Sequence, residues 1–227
     1  KNVLWCWKES ADAGFDIVSY AGTGSDTNQS HSLSSAPKLI ITKSRGSTTD
    51  WKVHTSAIDG SWDVGNLNTT AAFGDSSYTA ATSSIFYVGS GAPTNASSTN
   101  YISYLFHSVQ GYSRIGSYTG NGNADGTFIY LGFRPAWIMF KRTDSSVDWT
   151  IYDNKRLGYN ENNYKLRPNL SNAEYSTSGY FEADILSNGF KIRTSDAEVN
   201  TSGGTYMYLA FAEAPFVNSN GVPCNAR

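Results

Sequence analysis

An internal repeat limits what this chain can fold into more than any other feature. Three landmarks recur at a constant spacing of 98 residues, namely Pro37 and Pro135, Lys43 and Lys141, and Trp51 and Trp149. The copies also end alike, because Asn95 and Asn200 each precede a tyrosine-rich run by six residues. The repeat predicts two modules, each about 100 residues long as in a small β-sandwich. The predicted divisions are 1–13 (the end of a preceding module, or a linker), 14–108 and 109–216 (the two modules) and 217–227 (a C-terminal tail).

Short apolar runs between turn residues predict strands in both copies. Residues 134–142 form a buried run, and 149–152 alternate in polarity after a turn, which together predict a hairpin. Residues 38–42 and 51–54 repeat this plan. No segment keeps a helical apolar period over three turns, and 21 glycines interrupt the chain. We therefore expect an all-β protein with two tandem antiparallel β-sandwich modules, jelly-roll or lectin-like, related by internal duplication.

The surface is predicted to be polar but nearly neutral. Charged residues make up 16% of the chain, and the formal net charge is −2. An average soluble protein has roughly 25% charged residues. A nucleic-acid partner would require a clustered basic face, and a membrane span would require a run of about 18 apolar residues. Neither feature is present in the sequence. We expect no nucleic-acid partner and no membrane insertion.

The ends of the chain hold its two cysteines. Cys6 and Cys224 stand one near each end, and two cysteines alone cannot build a disulfide framework or a zinc motif. Free thiols are expected, with a disulfide between the ends or between chains as alternatives. The run 3–7 stands before Gly14 much as the run 101–106 stands before Gly111. It predicts the last strand of a preceding module, or a local substitute for one, in a chain trimmed from something longer.

Segments of the second copy occur in a characteristic order. They are Ile115–Gly122, Gly132–Arg142, Trp149–Asp153, Asn169–Glu174, Ser187–Phe190 and Gly203–Tyr206. Together they resemble a module common in bacteriophage tail and virion proteins, especially of marine and cyanobacterial phages, over Tyr112 to about Phe216. The first copy departs from the pattern, with Lys38-Leu39-Ile40-Ile41 in place of the tryptophan-containing run and Thr55 where the second copy has Asp153.

This resemblance implies a β-sandwich distantly like the concanavalin and SPRY folds, and it supplies no catalytic residues. We expect a non-enzymatic virion structural protein, part of a tail fibre, spike or capsid appendage, with host-surface glycan recognition. Its expected location is the particle surface. Its expected partners are identical chains, in a homotrimer, or other virion proteins, together with a host-surface glycan or protein. The alternatives are a polysaccharide-degrading tail spike and a purely mechanical spacer or cement protein.

Aromatic and amide side chains indicate where a ligand would bind. Trp51 and Trp149 each follow an aspartate, and a ring beside a carboxylate suits a sugar. Core packing is the alternative for both tryptophans. A second candidate is a polar stretch rich in rings and amides, which suit adaptable recognition. It comprises Tyr159, Asn160, Asn162, Asn163 and Tyr164. An ordinary polar loop is the alternative there.

Metal and catalytic signals are weak. Asn121, Asn123 and Asp125 have the spacing of a calcium loop, but Gly132 stands where a bidentate glutamate is needed, which favours a plain Asn/Gly turn. The three histidines are isolated in sequence, so no zinc site is expected. For the degrading alternative, the acid and base would be Glu182 with Asp184, or Glu161 with Glu174. We expect no cofactor and no resident metal.

Overall fold

The computed structural model describes residues 3–156, 160, 164–176 and 182–214. No helix occurs within these ranges, so nothing in them has the helical length and apolarity needed to cross a bilayer. The strands are β1 Phe15–Ala21, β2 Thr27–Ser30, β3 Leu39–Ser44, β4 Lys52–Thr55, β5 Asp63–Asn66, β6 Gly74–Asp75, β7 Ile85–Val88, β8 Asn100–Phe106, β9 Ser113–Thr119, β10 Phe128–Tyr130, β11 Pro135–Arg142, β12 Thr150–Asp153, β13 Tyr164–Lys165, β14 Tyr175–Ser176, β15 Ala183–Leu186, β16 Gly189–Ile192 and β17 Thr205–Ala212. The prediction of an all-β fold is confirmed.

Two large antiparallel sheets have corresponding strands in the same order over four positions. The first runs β1-β8-β3-β4-β5-β6, and the second runs β9-β17-β11-β12. Each predicted hairpin is present, with Ile40 opposite His54 in β3–β4 and Ile138 opposite Tyr152 in β11–β12. Three smaller sheets, β2-β7, β10-β16-β15 and β13-β14, complete the fold. The last long strand of each half therefore lies inside its sheet.

Alternation along the strands sends side chains to opposite faces of each large sheet and creates three cores. The central core lies between the two large sheets and includes Leu39 and Ile41 of β3 with Trp137 and Met139 of β11. The two outer cores use the intervening positions. Ile40 packs with Phe86 of β7, and Ile138 packs with Phe190 of β16. The strands thus form four stacked layers, with the halves joined face to face.

Matching side chains make matching contacts in the two halves. The Oδ1 atom of Asn95 accepts a hydrogen bond from the Thr23 backbone N–H, and that of Asn200 accepts one from Asn121, both at 2.9 Å. The Tyr101 hydroxyl accepts from Ala96 N–H at 2.8 Å, and the Tyr206 hydroxyl accepts from Thr201 N–H at 2.7 Å. The fold thus reproduces the sequence landmarks in space. The module boundaries and an origin by duplication stay predictions.

For the N-terminal segment, the sequence leaves open a last strand of a preceding module or a local substitute for one. Residues 3–9 form no strand. Instead, Trp5 and Trp7 pack edge-on against Trp137, with ring centroids 6.3 Å and 5.5 Å away. Trp7 also packs against Phe211 at 5.4 Å. The apolar run therefore extends the central core through its rings, and this burial does not require strand pairing.

Candidate binding groove

A surface groove combines aromatic and charged side chains at one end of the second sheet. Its volume is about 730 Å³. It is lined by Val3, Trp5, Lys155, Arg156, Tyr164, Leu166 and Glu174. The N-terminal segment, the turn after β12 and the β13–β14 hairpin each contribute to it, so residues far apart in sequence meet there.

Strand alternation explains which hairpin residues face the groove. Tyr164 and Leu166 line it, whereas Lys165 and Arg167, the intervening residues, do not. Leu166 is held by two backbone hydrogen bonds with Ile151, at 2.8 Å and 3.1 Å. The groove wall is thereby attached to the edge of the second large sheet.

The charged side of the groove is ordered by Asp153 at the end of β12. Its Oδ2 accepts a hydrogen bond from Arg156 Nε at 2.6 Å, and its Oδ1 accepts the backbone N–H of Lys155 at 2.9 Å. The Arg156 guanidinium also pairs with Glu174. Lys155 remains 77% exposed while its Nζ lies 3.6 Å from a Glu213 carboxylate oxygen. This arrangement presents a fixed guanidinium–carboxylate pair beside two rings.

The predicted tryptophan platforms have different environments. Trp149 is completely buried in the central core and offers no ring face to a ligand, which matches the core-packing alternative. Trp51 is half-buried, and its ring stacks on Tyr104 at 6.4 Å. The aspartates that precede them each bind an asparagine side chain, Asn68 in the first half and Asn169 in the second. These carboxylates organise the turns before β4 and β12.

The predicted polar stretch is divided in the structure. Tyr164 lies in the groove. Asn160 lies elsewhere, because its amide accepts from the Ile185 N–H at 2.8 Å and donates to the Ile185 carbonyl at 3.2 Å. It thereby provides hydrogen-bond partners for the backbone N–H and carbonyl of Ile185 at the free edge of β15. Tyr159, Asn162 and Asn163 lie outside the described residues.

The calcium-like loop uses its oxygens for internal bonds. Asn121 Oδ1 accepts from Asn123 N–H at 3.0 Å, and Asn123 Oδ1 accepts from Asp125 N–H at 2.9 Å. Asp125 Oδ1 lies 2.6 Å from Lys191 Nζ. Gly122 has a φ of 67°, the left-handed conformation of an Asn-Gly turn. The arrangement is that of a hydrogen-bonded turn.

The carboxylates considered for hydrolysis are mostly engaged. Glu182 is completely buried and pairs with Lys165, so it does not reach solvent. Asp184 lies 3.3 Å from Arg193. Glu174 reaches the groove, and Glu161 lies outside the described residues. Of the cysteines, Cys6 is exposed as a free thiol, and Cys224 is also outside the described ranges.

One acidic cluster has the spacing of metal ligands. Glu182, Asp196 and Glu198 each place one oxygen within 4.8 Å of the others. The Lys165 ammonium contacts both glutamates. A lysine cation therefore occupies the position that a metal ion would take, and we assign no metal there.

A second cleft of about 660 Å³ lies where the two halves meet. Lys38 of the first half and Arg114 and Tyr130 of the second half contribute to it. Its other aromatic residue, Tyr208, is buried. The cleft therefore offers fewer accessible ring faces than the groove with Trp5 and Tyr164.

The groove was only partly visible in the sequence. The sequence predicts Tyr164 as a binding residue, places Trp5 in a strand or a local substitute for one, and gives no signal for Arg156. The alternation of Tyr164 and Leu166 with Lys165 and Arg167 is the local signal that separates a groove face from a core face. The position of Trp5 beside that face arises only from tertiary packing.

These features define a class: an all-β protein of stacked antiparallel sheets with an aromatic surface groove. The chain belongs to the DUF7483 family, a domain of unknown function, whose model matches residues 2–215. That single match spans both halves of the chain. No curated protein and no solved structure matched it.

Proposed function

We propose that this chain is a non-enzymatic, particle-surface protein of a bacteriophage that binds host-envelope polysaccharide in the groove. The observation that carries the glycan assignment is the pair of rings, Trp5 and Tyr164, beside the Arg156–Glu174 ion pair. The placement on a phage tail fibre, spike or capsid appendage rests on the resemblance of the second copy to phage virion modules.

The groove has the chemistry that a sugar requires. Aromatic rings offer apolar faces to the C–H surface of a pyranose, and they are ordered at low entropic cost. A guanidinium and a carboxylate supply donors and acceptors for the hydroxyl groups around the ring. Its volume of about 730 Å³ lies within the range of about 300–1,000 Å³ typical of ligand sites. A short run of sugar units fits these dimensions.

Self-association in a homotrimer is the second part of the proposal. β10 is an edge strand of its sheet, and it exposes Phe128 by 44% and Tyr130 by 58%. Aromatic residues at an open strand edge suit packing against another copy. Sedimentation of the wild type and of the Phe128→Ser/Tyr130→Ser double variant measures this. We expect trimers from the wild type and monomers from the variant, and a monomeric wild type contradicts the trimer.

Binding is tested on an array of purified capsular polysaccharides and lipopolysaccharide O-chains. We expect the wild type to bind, and we expect Trp5→Ala and Tyr164→Ala each to weaken binding about tenfold, the effect of losing one aromatic contact. Trp51→Ala tests the other predicted platform, a half-buried ring outside the groove, and binding should stay unchanged if the groove is the site. Circular dichroism checks that each variant is folded. Absence of binding to every polysaccharide would leave the mechanical spacer as the better function.

The same incubation separates binding from hydrolysis. We expect no reducing ends to appear from any bound polysaccharide. Release of reducing ends, and its loss in Glu174→Gln, would instead establish the degrading tail spike. Glu174 is the carboxylate to test, because among the candidate acids and bases that the structure describes it lines the groove. Proteomics of purified phage particles tests the location, and absence of the chain from those particles rejects the virion assignment.

A further inference from the structure

Lys165 and Glu182 are buried together in the outer core of the second half. Their exposed fractions are 3% and 0%, and the Lys165 ammonium donates directly to Glu182 Oε1. The other carboxyl oxygen, Oε2, accepts a hydrogen bond from the Tyr152 hydroxyl at 2.6 Å. A nitrogen hydrogen-bonded to a carboxyl oxygen lies close to the attack distance of about 3–3.5 Å from the carboxyl carbon. The pair is thus placed for reaction as well as for attraction.

A second carboxylate touches the same lysine. Glu198 Oε2 lies 2.7 Å from Lys165 Nζ, and Glu198 also pairs with Arg167. Glu198 is therefore within proton-transfer distance of the amine. Burial disfavours the Lys165 ammonium, but Glu182 and Glu198 outweigh it and raise the pKa of Lys165. A base that removes the proton is consequently needed before the amine can act as a nucleophile.

Burial makes the neutral acid of Glu182 more accessible than that of an exposed glutamate. It raises the pKa of the Glu182 carboxyl against the opposing effects of the Lys165 ammonium and the Tyr152 hydroxyl, and Glu198 adds a like charge. Once Glu198 has taken the Lys165 proton, the opposing ammonium charge is gone. The adjoining core is apolar and includes Ala183, Ile185 and Ile192. A carboxylic acid is far more electrophilic at carbon than a carboxylate, and a dry core does not return water to the product.

We propose that Lys165 and Glu182 join in an intramolecular amide bond, with Glu198 as the proton carrier and Tyr152 as a hydrogen-bond donor to the carbonyl oxygen. Glu198 takes one proton from the Lys165 ammonium. The Nζ lone pair then attacks Cδ of protonated Glu182, and the new C–N bond forms while the Tyr152 hydroxyl stabilises the developing oxyanion. Protonated Glu198 then donates the first proton to the departing hydroxyl and takes a second proton from nitrogen. The C–O bond breaks, one water leaves, and Glu198 releases the second proton to solvent. No oxidant or cofactor is involved.

The chain contains a matched pair in a different environment. Lys191 Nζ lies 2.6 Å from Asp125 Oδ1, but Asp125 is 78% exposed. Hydrogen bonding and charge from Lys191 hold the pKa of Asp125 below its usual value, so this acid remains a hydrated carboxylate. In the first half, His54 occupies the position that corresponds to Tyr152 and stacks on Tyr78. The reactive arrangement therefore belongs to the second half.

Mass spectrometry tests the proposal on the intact, folded chain. We expect the purified protein, held at neutral pH, to become lighter than its sequence by one water molecule. Proteolysis should then yield a branched peptide that joins Lys165 to Glu182, and Lys191 and Asp125 should remain unlinked. A folded wild type that keeps its full sequence mass after prolonged incubation overturns the proposal, as does a cross-link at another pair.

Two variants separate the chemistry from simple ion pairing. Lys165→Met removes the nucleophile, and we expect it to keep the full mass. Glu198→Gln preserves the shape of the side chain but cannot carry the proton, so we expect cross-linking at least tenfold slower while circular dichroism stays unchanged. Cross-linking at the wild-type rate in Glu198→Gln would contradict the proposed proton path. The wild-type mass decides the existence of the bond even if a variant fails to fold.

Discussion

The indole Nε1–H of Trp149 donates a hydrogen bond to the backbone carbonyl oxygen of Asn66 at 2.9 Å. Trp149 belongs to the second half and Asn66 to the first, so this bond crosses the central core. The ring also packs in an edge-to-face arrangement with Phe73, with the two ring centroids 6.0 Å apart. The buried tryptophan thus contributes packing and a polar contact to the junction between the two large sheets.

Replacing Trp149 should weaken the whole fold. We expect Trp149→Ala to lower the free energy of unfolding by about 3–5 kcal/mol, because it leaves a large cavity in the core and an unpaired carbonyl. Trp51→Ala is the control at the corresponding position of the first half, where the ring is half-buried, and its cost should be clearly smaller. Urea unfolding measures both. Equal losses would show that the central core does not depend on the burial of Trp149.

A buried lysine provides a second connection between the halves. Lys141 is completely buried, and its ammonium donates to the Thr70 carbonyl of the first half at 3.1 Å. The carbonyl oxygens of Arg142, Ser145 and Val147 also lie within hydrogen-bonding distance, so its three N–H groups are shared among four acceptors. The ammonium therefore organises the β11–β12 turn.

The Lys141→Met variant measures the strength of this connection. We expect it to cost about 2–4 kcal/mol of unfolding free energy, since several buried carbonyls lose a charged donor. Lys43→Met is the matched control, because Lys43 donates to the corresponding turn carbonyls of Ser47 and Thr49 without a contact across the halves. A Lys43→Met cost as large as that of Lys141→Met would contradict the importance of the Thr70 contact.

His54 should make the protein sensitive to mild acid. Burial, aided by the charge of Lys52, lowers the pKa of His54 from 6.5 to about 3. Below pH 6.5 the unfolded chain binds a proton that the folded chain does not, so stability falls as the pH falls toward 3. One such group changes stability by at most about 1.4 kcal/mol per pH unit.

The His54→Phe variant keeps a ring against Tyr78, whose centroid is 4.3 Å away, and removes the titration. We expect it to lose less stability than the wild type between pH 7.5 and pH 5. Unfolding by urea at both pH values measures the difference, and His31→Phe controls for a histidine-to-phenylalanine change elsewhere. Parallel losses in wild type and His54→Phe would rule out the buried neutral imidazole.

The contribution of Asp63 to folding stability should have the opposite pH dependence from that of His54. Burial, followed by the charges of Asp59 and Asp75, raises the pKa of Asp63 from 3.8 to about 6. The folded chain then binds a proton that the unfolded chain releases, so stability falls as the pH rises from about 4 to about 6. Its Oδ2 is a buried atom without a hydrogen-bond partner in the described structure.

The Asp63→Asn variant removes this ionisation. We expect it to be more stable than the wild type at pH 7.5 and to lose that advantage at pH 4. Asp59→Asn removes one of the two neighbouring charges, so it should give a smaller part of the same gain at pH 7.5. Urea midpoints compared at equal m-values provide the measurement, and a destabilised Asp63→Asn at pH 7.5 would contradict a raised pKa.

The strands were predictable because their signal is local. Apolar alternation, turn residues and the recurrence of Trp51 and Trp149 all lie within short stretches of sequence, and together they indicated the hairpins β3–β4 and β11–β12. The binding residues were harder to assign. Trp149 has the same local pattern whether it faces solvent or core, and only the opposite sheet decides which.

The groove and the ionic cluster depend on contacts between distant segments. Trp5 approaches Tyr164 because the N-terminal segment packs on Trp137 instead of pairing as a strand. Lys165 and Glu182 are 17 residues apart, and Glu198 lies 33 residues from Lys165. Sequence spacing carries no information on whether such charges meet in water or in a core.

The amino-acid sequence by itself determined the strand content, the hairpins and the recurrence of one strand plan along the chain, because periodicity and turn chemistry act between near neighbours. Only the tertiary structure decided that the two large sheets share a central core, which tryptophan is hidden, and where the aromatic groove opens. Those outcomes depend on which faces bury each other, and burial is a property of the whole packed molecule.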